Sequence, residues 1–156
     1  MNLFLLEPEV SGGHGEYTIY KTDHGVRPSD KVKFLHYEFD GWLGDHFLTS
    51  TPCFIITQEL DEVFKQRNIG DYSVEECLVS KSDFFEELYE DKLLPTFLRM
   101  IPHGEITINK QSYDNWSGHH FCLSEKGYLV VTAKVVNALE KYASHGTMTT
   151  LHAGIK

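Results

Sequence analysis

The run Pro52-Cys53-Phe54-Ile55-Ile56-Thr57-Gln58-Glu59-Leu60 sets the terms for any fold this chain can adopt. Continuous apolar residues directly after a proline predict a strand buried on both faces, since no polar alternation marks a solvent side. A strand covered on both faces needs one layer of structure above it and another below. Thr57 can then accept a hydrogen bond from a free amide of a first helical turn, and Leu60, Val63 and Phe64 recur at helical spacing. Glu59, Asp61, Glu62 and Gln66 are expected to face away, with the acids in the first turn, where the helix dipole favours negative charge. Gly70 predicts the stop.

The remaining pattern is mostly strand. Leu3 to Leu6 is a short apolar run. Glu16 to Tyr20 and Lys33 to Phe39 alternate in polarity, as strands with two unlike faces do. The same reading applies to Ser73–Val79, Thr96–Ile101, Glu105–Asn109 and Thr147–His152, and His120–Leu123 with Tyr128–Val131 predict a hairpin. Short helices are expected at Ser82–Tyr89, with Phe84 or Phe85, Leu88 and Tyr89 as the apolar side, and after Thr132, which is expected to cap it, with Val135, Val136, Leu139 and Tyr142 on one side. Strands dominate and helices do not alternate with them. This predicts a single α+β domain spanning 1–156, a mainly antiparallel or mixed sheet carrying about three short helices. Trp42, between Gly41 and Gly44, is read as core.

Charge narrows the function. The chain carries 23 acidic and 14 basic residues, and between Glu59 and Asp91 eleven acids face only Lys65, Arg67 and Lys81. A nucleic-acid or anionic-membrane surface needs a basic stripe, and the sequence has none. An acidic face attracts a basic protein partner, or it serves solubility alone. No stretch approaches the roughly 20 apolar residues of a membrane span, and the start lacks the features of a signal peptide. Cys53, Cys77 and Cys122 form no CxxC pair and sit in apolar runs, as reduced cytoplasmic thiols do.

Catalytic patterns are weak. His119 and His120, adjacent on a strand, point to opposite faces and cannot ligate one ion. His14, His24, His36, His46, His103, His145 and His152 show no ligand spacing. Ser11-Gly12-Gly13-His14-Gly15 has neither the P-loop ending nor GxGxxG spacing and reads as a flexible turn. No GxSxG elbow occurs. These features predict a protein that is not an enzyme and takes no metal or cofactor; the competing enzyme reading is a hydrolase using His119 or His120.

Several segments, taken in order, resemble immunity proteins encoded beside bacterial polymorphic toxins. They are Leu35-His36-Tyr37-Glu38-Phe39-Asp40-Gly41-Trp42-Leu43-Gly44-Asp45, Thr51–Leu60, Val79–Ser82 with Phe85–Tyr89, Leu94-Pro95-x-Phe97, Phe121-x-Leu123-Ser124, and Leu129–Thr132. The resemblance implies an α+β protein that binds and neutralises one cognate toxin in the cytoplasm without catalysis. Between Ile108 and His119 this chain departs from that pattern, with a polar loop carrying Tyr113 and Trp116. Two toxin-binding surfaces are therefore expected. One is formed by Glu75, Glu76, Asp83, Glu86, Glu87, Glu90 and Asp91, unless these are only a solvated face. The other is the Tyr113–Trp116 loop, unless Trp116 folds back over a sheet. The alternative function is an adaptor or chaperone for a secreted effector.

Overall fold

The computed structural model describes residues 1–22 and 27–154, so His24 lies outside the described residues. In chain order the first strands are β1 (Leu3–Glu7), β2 (Gly12–His14), β3 (Ile19–Tyr20), β4 (Val32–Phe34), β5 (His36–Phe39), β6 (Phe47–Ser50) and β7 (Cys53–Thr57). Helix α1 (Gln58–Gln66) leads to β8 (Tyr72–Glu76), β9 (Leu78–Lys81) and helix α2 (Asp83–Leu88). The chain continues through β10 (Phe97–Pro102), β11 (Gly104–Glu105), β12 (Thr107–Asn109), β13 (Ser112–Asp114), β14 (Phe121–Leu123) and β15 (Leu129–Val131). Helix α3 (Ala133–Leu139) and β16 (Thr147–Ala153) follow. The fold is α+β, with three short helices on antiparallel and mixed sheets.

β7 is the doubly covered strand that its sequence predicts. It lies inside an antiparallel sheet ordered β6-β7-β10-β8, and all five of its residues are buried. Cys53 and Ile55 pack on one side with Leu35, Tyr37, Phe39, Leu48, Phe85 and Phe97. Phe54 and Ile56 pack on the other with Leu60, Phe64, Phe121, Val131 and Leu139. Each fully buried side chain of this size contributes about 1.5–3 kcal/mol. The layer on the first side is the three-stranded sheet β2-β5-β9; the second side meets α1, α3 and a seven-stranded sheet ordered β11-β14-β15-β1-β16-β13-β12. That larger sheet has a further core on its far face, built from Leu3, Ile106, Tyr113, Cys122, Val130 and Leu151.

Several boundaries differ from the sequence expectation. Lys33–Phe39 divides at Leu35 into β4 and β5, which join different sheets, and Ser73–Val79 divides at Cys77 in the same way. Glu105–Asn109 likewise divides at Ile106. Thr57 caps α1 as expected, accepting the Leu60 amide at 3.1 Å, but the helix stops at Arg67 because Asn68 turns to φ 56° well before Gly70. Thr132 precedes α3 without capping it through its side chain; its Oγ1 meets His120 Nδ1 at 2.7 Å instead.

The glycine run at 11–15 is a strand rather than a turn. β2 pairs with β5, and a Cβ on Gly12 would overlap the Glu38 carbonyl oxygen, whereas one on Gly13 meets nothing within 4 Å. Gly12→Ala is expected to lower the unfolding free energy by about 1–3 kcal/mol, the range for overpacking. Gly13→Ala should leave it nearly unchanged, and urea denaturation of both variants checks the contrast.

The layer beneath β7 also holds groups that the fold keeps neutral. Burial pushes the Cys53 and Cys77 thiols from 9.0 up to about 11, and the Tyr37 phenol from 10.0 up to about 12. Tyr37 accepts the Ser11 amide at 3.0 Å and donates to the Thr49 carbonyl at 3.1 Å. Since each neutral form is favoured when folded, this stabilisation is complete below the unfolded values and is lost as pH rises through the folded ones. Stability is therefore expected to decline from about pH 9 towards about pH 12, and Cys77→Ala should make the decline shallower. Urea midpoints measured across that range check it.

Candidate functional site

The acids of the 59–91 window occupy α1, the link before β8 (Asp71), β8, α2 and the turn after α2, and they do not behave alike. Asp61 is buried rather than turned away. Its carboxylate accepts the Tyr72 hydroxyl at 2.6 Å and pairs with Lys65 at 2.9 Å, because Tyr72 reaches back across the core to it. Burial, and then the Asp61 hydrogen bond, push the Tyr72 phenol up.

Glu75 is also engaged. Arg99, at 2% exposure on β10, donates from one guanidinium nitrogen to the Val32 carbonyl at 2.7 Å and to Glu75 Oε1 at 3.1 Å. Its other terminal nitrogen donates to the Ser29 carbonyl. A buried guanidinium needs such acceptors, because desolvating it costs several kcal/mol. Glu75 is thus a structural anion whose outer edge stays exposed.

Glu76, Asp83, Glu86, Glu87, Glu90 and Asp91 are exposed, and among the described residues none forms an ion pair. The nearby lysines are turned inward. Lys92 donates to the Trp42 carbonyl at 2.6 Å and lies over the Trp42 and Tyr89 rings, while Lys81 donates to the Lys92 carbonyl and lies over Phe85. The carboxylates outside are left without local neutralisation.

Helix α2 decides which apolar residues show. Ser82 caps it by accepting the Phe85 amide at 3.1 Å. Phe85 enters the core and Tyr89, one turn later, stacks beside it at 5.2 Å. Phe84 and Leu88 share another face of the helix, each 58% exposed, and Leu93 beyond the turn is 85% exposed. Sequence reasoning placed Leu88 on the buried side and left Phe84 and Phe85 open; the i,i+4 pairs 84/88 and 85/89 are equally apolar, so spacing alone cannot choose between them. A cleft of about 310 Å³ adjoins Tyr89, lined by Val10, Trp42, Leu43 and Gly41, with Glu9 and Asp40 at its rim. Trp42 is half-buried, as a core residue at that margin, and its indole N–H donates to the Asp45 carbonyl at 2.7 Å.

Tyr113 and Trp116 lie elsewhere and turn inward. Residues 112–114 form a strand between β12 and β16, which carries Tyr113 over the far face of the large sheet. Its hydroxyl donates to the Met1 carbonyl at 2.7 Å, and Trp116 donates to the His119 carbonyl at 3.0 Å with its ring edge-on to Tyr113. Of the two readings of this segment, the geometry fits the fold-back over the sheet, with Tyr113 buried and Trp116 half-buried.

His119, His120 and His145 brace the loops they sit in. Ser117 Oγ accepts the Glu105 amide at 2.9 Å and meets His119 Nδ1 at 2.6 Å, while His120 turns to Thr132. Asp45, Ser144 and His145 also cluster, but the carboxylate at 2.7 Å and the hydroxyl at 3.3 Å both meet Nδ1 of His145. A hydrolytic triad uses the two ring nitrogens for two different partners. This cluster instead pins the 41–45 turn to the segment after α3. Among the described residues, no helix is long and apolar enough to cross a membrane.

No protein-family model matches the chain, and no curated protein matches it in sequence. Because Trp116 is a cover over the sheet, Trp116→Ala is expected to lower stability by about 2 kcal/mol, below the full cost of removing a core aromatic. Thermal and urea unfolding check this.

Proposed function

We propose that this chain is an immunity protein, which binds a bacterial toxin domain and neutralises it by contact. The observation that carries the reading is the surface of α2, where exposed Phe84 and Leu88 sit among carboxylates that form no ion pair among the described residues. Specific interfaces place a few apolar or aromatic anchors at a desolvated centre with a polar rim around it. The acidic rim would steer a partner with a basic surface and speed encounter at low salt. The order of sequence segments resembling immunity proteins supports the same reading. The free thiols Cys53, Cys77 and Cys122 suit a reducing cytoplasm, where such a protein would meet its toxin.

The test is co-expression with the product of the adjacent gene, scoring growth and then capture of one product by the other. The neighbour is expected to arrest growth alone, and this chain to restore growth and bind it. Phe84→Ala combined with Leu88→Ala should weaken binding about tenfold or more at unchanged stability, because truncating central anchors costs at least 1–2 kcal/mol. Full rescue by that double variant would remove α2 from the interface. Binding without rescue would favour an adaptor over an inhibitor.

A further inference from the structure

We infer that β8 is a docking edge, on which an extended basic segment of the partner adds as a further strand of the β6-β7-β10-β8 sheet. This rests on the immunity reading and specifies how the acidic window makes contact.

The β8 backbone has a defined direction. In an antiparallel ladder, the N–H and C=O of one residue point to the same neighbour, and successive residues alternate sides. The Gln58 amide donates to the Thr96 carbonyl at 2.9 Å, so Thr96, Leu98, Met100 and Pro102 turn towards β7. The His103 amide donates to the Asp71 carbonyl at 2.9 Å, so the odd-numbered residues of β10 turn towards β8. With Arg99 opposite Glu75 and Ile101 opposite Ser73, it is Ser73 and Glu75 that bond to β10. Tyr72, Val74 and Glu76 therefore direct their main-chain groups outward. β8 is the last strand of its sheet, and these residues have no other main-chain partner among the described residues. Ser73, Val74, Glu75 and Glu76 are all exposed.

Charge selects the occupant. Glu75 and Glu76 flank the edge on its two faces, and Asp83, Glu86 and Glu87 follow shortly after on α2. A second copy of this chain would bring the same carboxylates against them, and like charges directly opposite destabilise a strand pair. A strand with Lys or Arg at alternate positions carries its cations on one face and sets one of them opposite Glu76, the glutamate that Arg99 does not hold, while its main chain completes the ladder, the mode known as β-augmentation. Arg99 holds the register of β8 through Glu75, so the edge is formed before any partner arrives.

The experiment titrates the full chain with a fluorescent peptide of about ten residues alternating Lys and Val, long enough to cover one strand. The comparison peptide is the same sequence N-methylated at every amide, which keeps its charge but leaves no N–H to donate to the edge from either side. Hydrogen exchange is followed at single amides. The unmodified peptide is expected to bind about tenfold more tightly than the methylated one, to weaken with salt, and to slow exchange at Val74 and Glu76 but not at Ser73 and Glu75. Equal affinity of the two peptides, unchanged exchange at Val74 and Glu76, or no binding by either would overturn the proposal. The growth assay reads the immunity function separately. Rescue without edge protection sinks the docking mode alone, whereas edge protection beside a harmless, unbound neighbour sinks the immunity reading alone.

Discussion

The guanidinium of Arg99 is the charge around which the molecule is arranged. It sits on a strand of the central sheet with almost no contact to water, and two separate stretches of chain supply its acceptors: the carbonyls of Ser29 and Val32 from one, and the carboxylate of Glu75 from the other. Its Nε and the Ser29 hydroxyl have no partner among the described residues, so the cluster is already short of hydrogen bonds. Any shift that withdrew another acceptor would leave a buried charge further unsatisfied, at a cost of several kcal/mol. The segment before β4 is thereby fastened over the central sheet. β8, which would otherwise be a loosely held edge, acquires a defined register.

Inside and outside are then divided by sign. Around β8 and α2 the cations are withdrawn: Arg99 into the core, and Lys81 and Lys92 onto carbonyls and aromatic rings. Their hydrocarbon stems cover apolar surface while the charge finds local acceptors. The surface charge of this side exceeds what a count along the sequence suggests, because the neutralising partners point the other way. The hydrophobic residues that show there, Phe84 and Leu88, cost nothing in helix formation but leave apolar area open to water.

The central layer was legible because its signal is compositional. Cys53–Ile56 offers no polar face, and Thr57 followed by Leu60 and Phe64 marks a helix start by chemistry that holds in any context. The divisions at Leu35, Cys77 and Ile106 were not legible. An alternating run says which residues share a face, but nothing in it states that the chain leaves one sheet for another, as at Leu35 and Cys77, or passes to the opposite edge of the same sheet, as at Ile106. The same limit explains Asp61, whose first-turn position suits the helix dipole whether it is exposed or bonded to a tyrosine eleven residues away. Tyr113 and Trp116 left two readings open because a polar sequence around two aromatics describes both a loop tip and a short strand within a sheet. Only the pairing of β13 with β16 distinguishes them.

β1 lies between β15 and β16 in the large sheet, with Phe4 opposite Val131 on one side and Thr150 on the other. Nearly everything in between, including the whole central layer, is inserted between neighbouring strands of that one sheet. The chain must therefore close its longest loops to complete it, and such non-local pairings form slowly. On a ribosome, β1 lacks its second neighbour until synthesis has passed the strand Thr147–Ala153. The central layer, closed by the nearby strands β6, β7, β8 and β10, needs only the stretch from Phe47 to Pro102 to complete its ladder. The acidic side of the molecule can thus complete its pairing well before the sheet that sets β1 beside β16.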